Sequence, residues 1–181
     1  MLQLASPRDS ALLAVMAAGA CRIGETTLLC WRDIDQAGRV TLPGQITKTR
    51  TARAFTLPPE AKAYLDQWRQ ECPTTQAGWV FPGHPPRYPL SVRAGQRVIK
   101  QLAARVGLEG VTSHSLRRSA ITAAHCAGLP LRALAELGGH QSASNLQRYL
   151  DADVFRAEAD AARSLLFGAG PQTSISRSQQ A

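Results

Sequence analysis

A mainly helical domain with one small antiparallel β-sheet is predicted by three features of this sequence. Apolar residues recur at helical spacing over most of the chain, capping and stop residues bracket those stretches, and one region shows strand-like alternation. The first helix is set by Ser6 as cap, Pro7 at the first helical position and Asp9 in the first turn. Its apolar run closes near Gly19, so the helix is expected from Pro7 to Ala18. A short helix follows over Ile23 to Cys30. Trp31, Ile34, Val40 and Leu42 then stand among turn residues and suit short strands. Arg53-Ala54-Phe55-Thr56-Leu57 alternates in the same way, so Arg39 to Leu57 reads as a hairpin whose polar connection, Gly44 to Ala52, carries Lys48.

Helical spacing returns with Ala61, Tyr64, Leu65 and Trp68, which form one buried stripe. Between Pro73 and Pro89 the Pro- and Gly-rich chain predicts a surface excursion that includes Trp79-Val80-Phe81 and His84. Ser91 caps a helix with Val92, Ile99, Leu102 and Val106 facing inward and Gly107 as its stop. Ser113 is expected to cap the next, running to about Ala127 before Gly128. Leu131, Leu134 and Leu137 mark a compact helix ended by Gly138-Gly139, and two further helices are expected from Ser144 to Leu150 and from Asp153 to Phe167. The polar, Ser- and Gln-rich residues 168–181 predict a disordered tail, leaving one domain over residues 1–167.

Composition narrows the function. With 181 residues, 44% of them hydrophobic, the chain can bury one sizeable core. Lys+Arg minus Asp+Glu is 21 − 13 = +8, which favours polyanionic partners, nucleic acid first among them. Only Lys48, Lys62 and Lys100 are lysines; the other basic residues are arginines, suited to bidentate phosphate contacts. No stretch approaches the roughly 20 apolar residues of a membrane span, and the N-terminal segment lacks a basic leader, so no membrane association and a cytoplasmic location are expected. Cys21, Cys30, Cys72 and Cys126 form no Cys-x-x-Cys pair, which speaks against a zinc knuckle and predicts reduced core thiols.

His114-Ser115-Leu116-Arg117 places an imidazole and a guanidinium on one helix face, just past a cap whose N–H groups favour an anion. Alone, that spacing is weak evidence, and a capping histidine with an ion-paired arginine is the plainer reading of it. Downstream, Gly138-Gly139-His140 ends a helix, and Tyr149 follows inside Gln147-Arg148-Tyr149-Leu150. Upstream stand Gly19-Ala20-Cys21-Arg22-Ile23-Gly24-Glu25, Trp31-Arg32-Asp33-Ile34-Asp35, and Thr47-Lys48-Thr49 followed by Arg53 and Thr56-Leu57-Pro58. In this order the chain resembles the catalytic domain of the tyrosine recombinase, or phage-integrase-like, family of DNA strand-exchange enzymes. Its marks are a first arginine motif, a hairpin lysine, His-x-x-Arg, a Leu-Gly-His-like turn and a tyrosine nine residues further on. Cys21 replaces the usual leucine before the first arginine, Gly138-Gly139 alters the turn, and Asn145 and Leu146 replace frequent hydroxyl residues. None of these changes removes a reactive group.

The resemblance implies the fold of that catalytic domain, double-stranded DNA as partner, and site-specific cleavage and rejoining through a 3′-phosphotyrosyl intermediate. It implies Arg22, Lys48, His114, Arg117, His140 and Tyr149 as catalytic residues, with Glu25 holding an arginine or a backbone turn in place. It also implies self-association on DNA through the C-terminal helix, Phe155 to Phe167. The family's separate N-terminal clamp domain has no counterpart in this chain, so weak DNA binding is expected of it alone.

Residue types support the same roles. Two guanidiniums, Arg22 and Arg117, suit the non-bridging oxygens of a phosphodiester, and His140 would add a further hydrogen bond. Tyr149 can form a covalent ester if His114 takes its proton, and Lys48 can protonate the leaving oxygen. No metal or nucleotide cofactor is required by such chemistry. Arg53, Arg118 and Arg148 are expected as phosphate contacts or as solvated charge. Singly, each residue also fits a plainer role: Tyr149 a core aromatic, Lys48 a solvated turn residue, Arg22 an ion-pair partner of Glu25 or Asp33, His140 a cap. A type IB topoisomerase-like enzyme, an inert DNA-binding regulator on the same fold and a metal-dependent nuclease are the alternatives, the last lacking a carboxylate cluster.

Overall fold

The computed structural model describes residues 2–73 and 78–139. The helices expected at 144–150 and 153–167, the tail, His140 and Tyr149 lie outside the described residues.

Helix α1 (Pro7–Ala18) is capped by the Ser6 hydroxyl, which accepts the Asp9 N–H at 3.2 Å. Ser10 through Met16 are all buried, as a helix that is apolar on nearly every face must be. Helix α2 (Ile23–Thr27) is shorter than expected, and Trp31–Asp33 forms a 3-10 turn instead of a strand. Strands β1 (Arg39–Leu42) and β2 (Arg53–Thr56) pair antiparallel, with Arg39 opposite Thr56 and Leu42 opposite Arg53. Helix α3 (Pro59–Glu71) lies along α1. Helix α4 (Val92–Arg105) packs on α2, and α5 (Ser113–Cys126) packs on α1 and on α6 (Leu131–Gly138). Among the described residues no helix is long and apolar enough to cross a membrane.

The main core gathers Leu12, Leu13, Met16, Leu29, Trp31, Leu42, Phe81 and Ile99. A second, smaller cluster joins Ala20 to Ile121 of α5 and Leu134 of α6. That small cluster fixes α5 and α6 against the turn between α1 and α2, where the candidate residues gather.

Four further expectations are corrected. The segment after Pro73 is not wholly superficial: Val80 and Phe81 are fully buried, and bridges pair Cys30 with Trp79 and Pro82 with Pro89. The Val80 N–H donates to Leu29 O at 2.8 Å and its carbonyl accepts the Trp68 indole N–H at 2.7 Å, so this strap closes the core. Thr112 rather than Ser113 caps α5, its hydroxyl accepting the Ser115 N–H at 3.1 Å. Val92 is 42% exposed, because Gly95 takes the inward position of that first turn. A β-carbon there would stand 2.7 Å from Ile23 Cδ1. Cys126 is exposed at the end of α5 and Cys72 is half-buried, so only Cys21 and Cys30 are core thiols.

Candidate active site

The site is built on the turn that joins α1 to α2. Gly19 is required there by space, since a β-carbon would lie 2.2 Å from the Phe55 ring. Ala20 adopts a left-handed backbone at φ 44°, a conformation that costs an L-residue on the order of 1–2 kcal/mol and is held by its complete burial. This geometry presents two carbonyls, Gly19 O and Ala20 O, to side chains arriving from distant parts of the chain.

Arg22 is the N-cap residue of α2. Its backbone N–H donates to Glu25 Oε2 at 2.9 Å, and its Nη1 donates to Glu25 Oε1 at 2.9 Å. Glu25 is almost wholly buried, and its Oε2 also accepts Arg53 Nη2 at 2.7 Å. Asp33, the other acid considered for Arg22, instead accepts the Cys30 N–H at 2.9 Å. One carboxylate thus holds two arginines and a backbone donor, while the Arg22 side chain stays 31% exposed and open to an anion.

Arg53 of β2 and Arg117 of α5 act as paired clasps. Arg53 Nη1 donates to Gly19 O at 2.9 Å and to Leu137 O at 2.5 Å. Arg117, only 2% exposed, donates through Nη1 to Ala20 O and through Nη2 to Gly138 O. Both guanidiniums therefore tie the α1–α2 turn to the C-terminal end of α6. His114 lies one turn before Arg117 on the same face of α5, near the helix N-terminus. Lys48 is exposed in the connection between the strands.

Electrostatics follow from this crowding. Burial raises the Glu25 carboxyl, but the Arg22 backbone N–H and the Arg53 and Arg22 guanidiniums outweigh it, holding the group below the usual carboxylate value. Burial, then the nearby Arg22 charge, brings Arg117 down to about 10, which leaves it cationic at neutral pH. Burial pushes the Cys21 thiol up to about 11, so it stays protonated beneath the turn. His114 is lowered by burial and by the charges of Arg117, Arg118 and Arg22.

The structure thus brings together Arg22, Glu25, His114 and Arg117, and adds Arg53. Arg53 is not the surface phosphate contact considered from sequence. A signal for its burial existed: strand alternation puts Arg53 on the face of Phe55, which packs on the core. His140 and Tyr149 lie outside the described residues, one and ten positions past Gly139 in the sequence.

Residues 2–155 match the phage integrase family, and the chain belongs to that family. Among curated proteins it is 35% identical over 148 residues to tyrosine recombinase XerC of Xanthomonas axonopodis pv. citri (strain 306), covering 81% of this chain and 47% of that protein. The chain therefore spans about half the length of such relatives. Among solved structures, XerA recombinase aligns with a TM-score of 0.73 at 23% identity, covering 86% of this chain and 58% of the other. XerH site-specific recombinase bound to palindromic difH substrate aligns with a TM-score of 0.69 at 22% identity, over 86% of this chain and 45% of that one. These likenesses show that the fold is that of tyrosine recombinase catalytic domains.

Proposed function

We propose that this chain is the catalytic domain of a site-specific DNA recombinase that cuts and rejoins double-stranded DNA through Tyr149. The observation that carries this reading is the convergence of Arg22, His114 and Arg117, from two remote segments of sequence, on one turn beside the chain leading to His140. Arg22 and Arg117 draw the non-bridging oxygens of the scissile phosphate and stabilise charge as the transition state forms. The Tyr149 hydroxyl attacks phosphorus and passes its proton to His114. The bond from phosphorus to the 5′ oxygen breaks, Lys48 protonates that oxygen, and a 3′-phosphotyrosyl linkage with a free 5′-hydroxyl results. Attack by a 5′-hydroxyl on the linkage reverses these steps and rejoins the strand, so no external energy source enters. Self-association on DNA through residues 155–167 belongs to the same reading.

The test is a nicked duplex that releases a short fragment on cleavage and so traps the intermediate. The chain is expected to become covalently attached to DNA in the presence of excess chelator. Binding without attachment would leave an inert regulator, and relaxation of supercoils without exchange between two sites would indicate a topoisomerase.

The pH dependence of trapping follows from His114. Its neutral form accepts the proton, and its surroundings disfavour the charged form, so the acid limb of cleavage is expected below the ordinary histidine value of 6.5. Single-turnover rates between pH 5 and 8 would show it. A limb centred above 6.5 that vanishes in His114→Gln would contradict the assignment.

A further inference from the structure

We infer that Arg53 is a positioning residue for strand cleavage, a buried brace that sets the placement of Arg22 relative to the chain entering His140. The inference rests on the recombinase reading above and adds a residue to it. Arg53 reaches three separate pieces of the molecule with one guanidinium. It holds the turn that precedes Arg22 through Gly19 O, the carboxylate that grips Arg22 through Glu25 Oε2, and the end of α6 through Leu137 O. Its Nε is buried with no hydrogen-bond partner among the described residues. Residue 139 is a glycine at φ 56°, and a β-carbon there would lie 3.1 Å from that same Nε, a tight contact, so the Arg53 side chain runs close against it. Arg53 therefore fills the ground directly beneath the residue before His140.

Arg53 spends its terminal nitrogens on two carbonyls and on the Glu25 carboxylate that offsets its charge, whereas Arg117 donates to carbonyls and pairs with no carboxylate among the described residues, which leaves its charge for a phosphate. The contribution of Arg53 is to geometry. Arg117 makes the neighbouring link, from Ala20 O to Gly138 O, so Arg53 doubles a joint that Arg117 alone would leave free to pivot. A misplacement of about 1 Å in such a site lowers a reaction rate on the order of a hundredfold.

The experiment compares the wild-type chain with Arg53→Lys and Arg53→Met, each checked for folding by thermal unfolding. Single-turnover cleavage of the nicked duplex is measured at saturating DNA, and duplex affinity is measured across salt concentrations. Arg53→Lys retains the charge but cannot reach all three acceptors at once. It is expected to cleave about a hundredfold more slowly, with an unchanged slope of log affinity against log salt. Cleavage within twofold of wild type overturns the inference. A salt slope smaller by about 0.9 also overturns it, because it marks a lost phosphate contact.

If the wild-type chain itself forms no adduct, the recombinase reading fails, and amide exchange decides the brace by itself. The Arg22 and Gly139 amides should then exchange faster in Arg53→Lys than in wild type, with the Ile99 amide of α4 unchanged. Equal exchange at Arg22 and Gly139 overturns the brace.

Discussion

Tyr149→Phe is expected to abolish the covalent adduct while leaving affinity for the duplex unchanged. The substitution removes one oxygen and keeps the aromatic ring, so the side chain's size persists while the proposed ester-forming atom is gone. Removal of a covalent nucleophile from an enzyme costs on the order of a millionfold in rate, which places the residual reaction far below detection in a trapping assay. The neighbouring groups would still bind and polarise the phosphate, so a slow nick by water is the most that should remain. Denaturing gel electrophoresis of the wild-type and variant chains after incubation with the nicked duplex reads the difference directly. An adduct that persists in Tyr149→Phe would remove Tyr149 from the mechanism.

Glu25→Ala is expected to destabilise the fold by about 3–5 kcal/mol and to remove cleavage with it, since breaking a buried pair strands its partner charges. Here the stranded groups are two guanidiniums, Arg22 and Arg53, and the backbone N–H of Arg22 also loses its acceptor. The milder Glu25→Gln keeps one carbonyl oxygen but turns an amide N–H₂ toward a guanidinium, so an intermediate loss is expected. The pH dependence carries the sign. The folded-state value of Glu25 is depressed, so its stabilising contribution is complete above the ordinary carboxylate value of 4.5 and is lost as pH falls through the folded value. Thermal unfolding of Glu25→Gln should therefore respond less steeply to acid below pH 4.5 than that of the wild-type chain. A Glu25→Ala chain within about 1 kcal/mol of wild type, or an unaltered acid response in Glu25→Gln, would show that the carboxylate does not carry the turn.

Short-range chemistry explains which elements were legible before any coordinates. Ser6, Pro7 and Asp9 mark the start of α1, and the alternation around the polar connection marks β1 and β2, because caps and strand periodicity act within a few residues. The same locality explains the one-residue error at α5, where Thr112 and Ser113 both offer a hydroxyl. Only the extended backbone of Thr112, at φ −126°, gives it the capping role.

What the sequence by itself determined is the fold class and the family: a mainly helical domain with one hairpin, matching the phage integrase family over residues 2–155, with six candidate side chains in order along it whose roles are proposed. What only the tertiary structure decided is where charge goes inside. Strand alternation puts Arg53 on the inner face with Phe55, but only the fold supplies the acceptors that hold its charge there, from three remote places: Gly19, Glu25 and Leu137. Burial of a charge is favourable only once such partners are assembled around it, and that assembly is a property of the folded chain rather than of any window of residues.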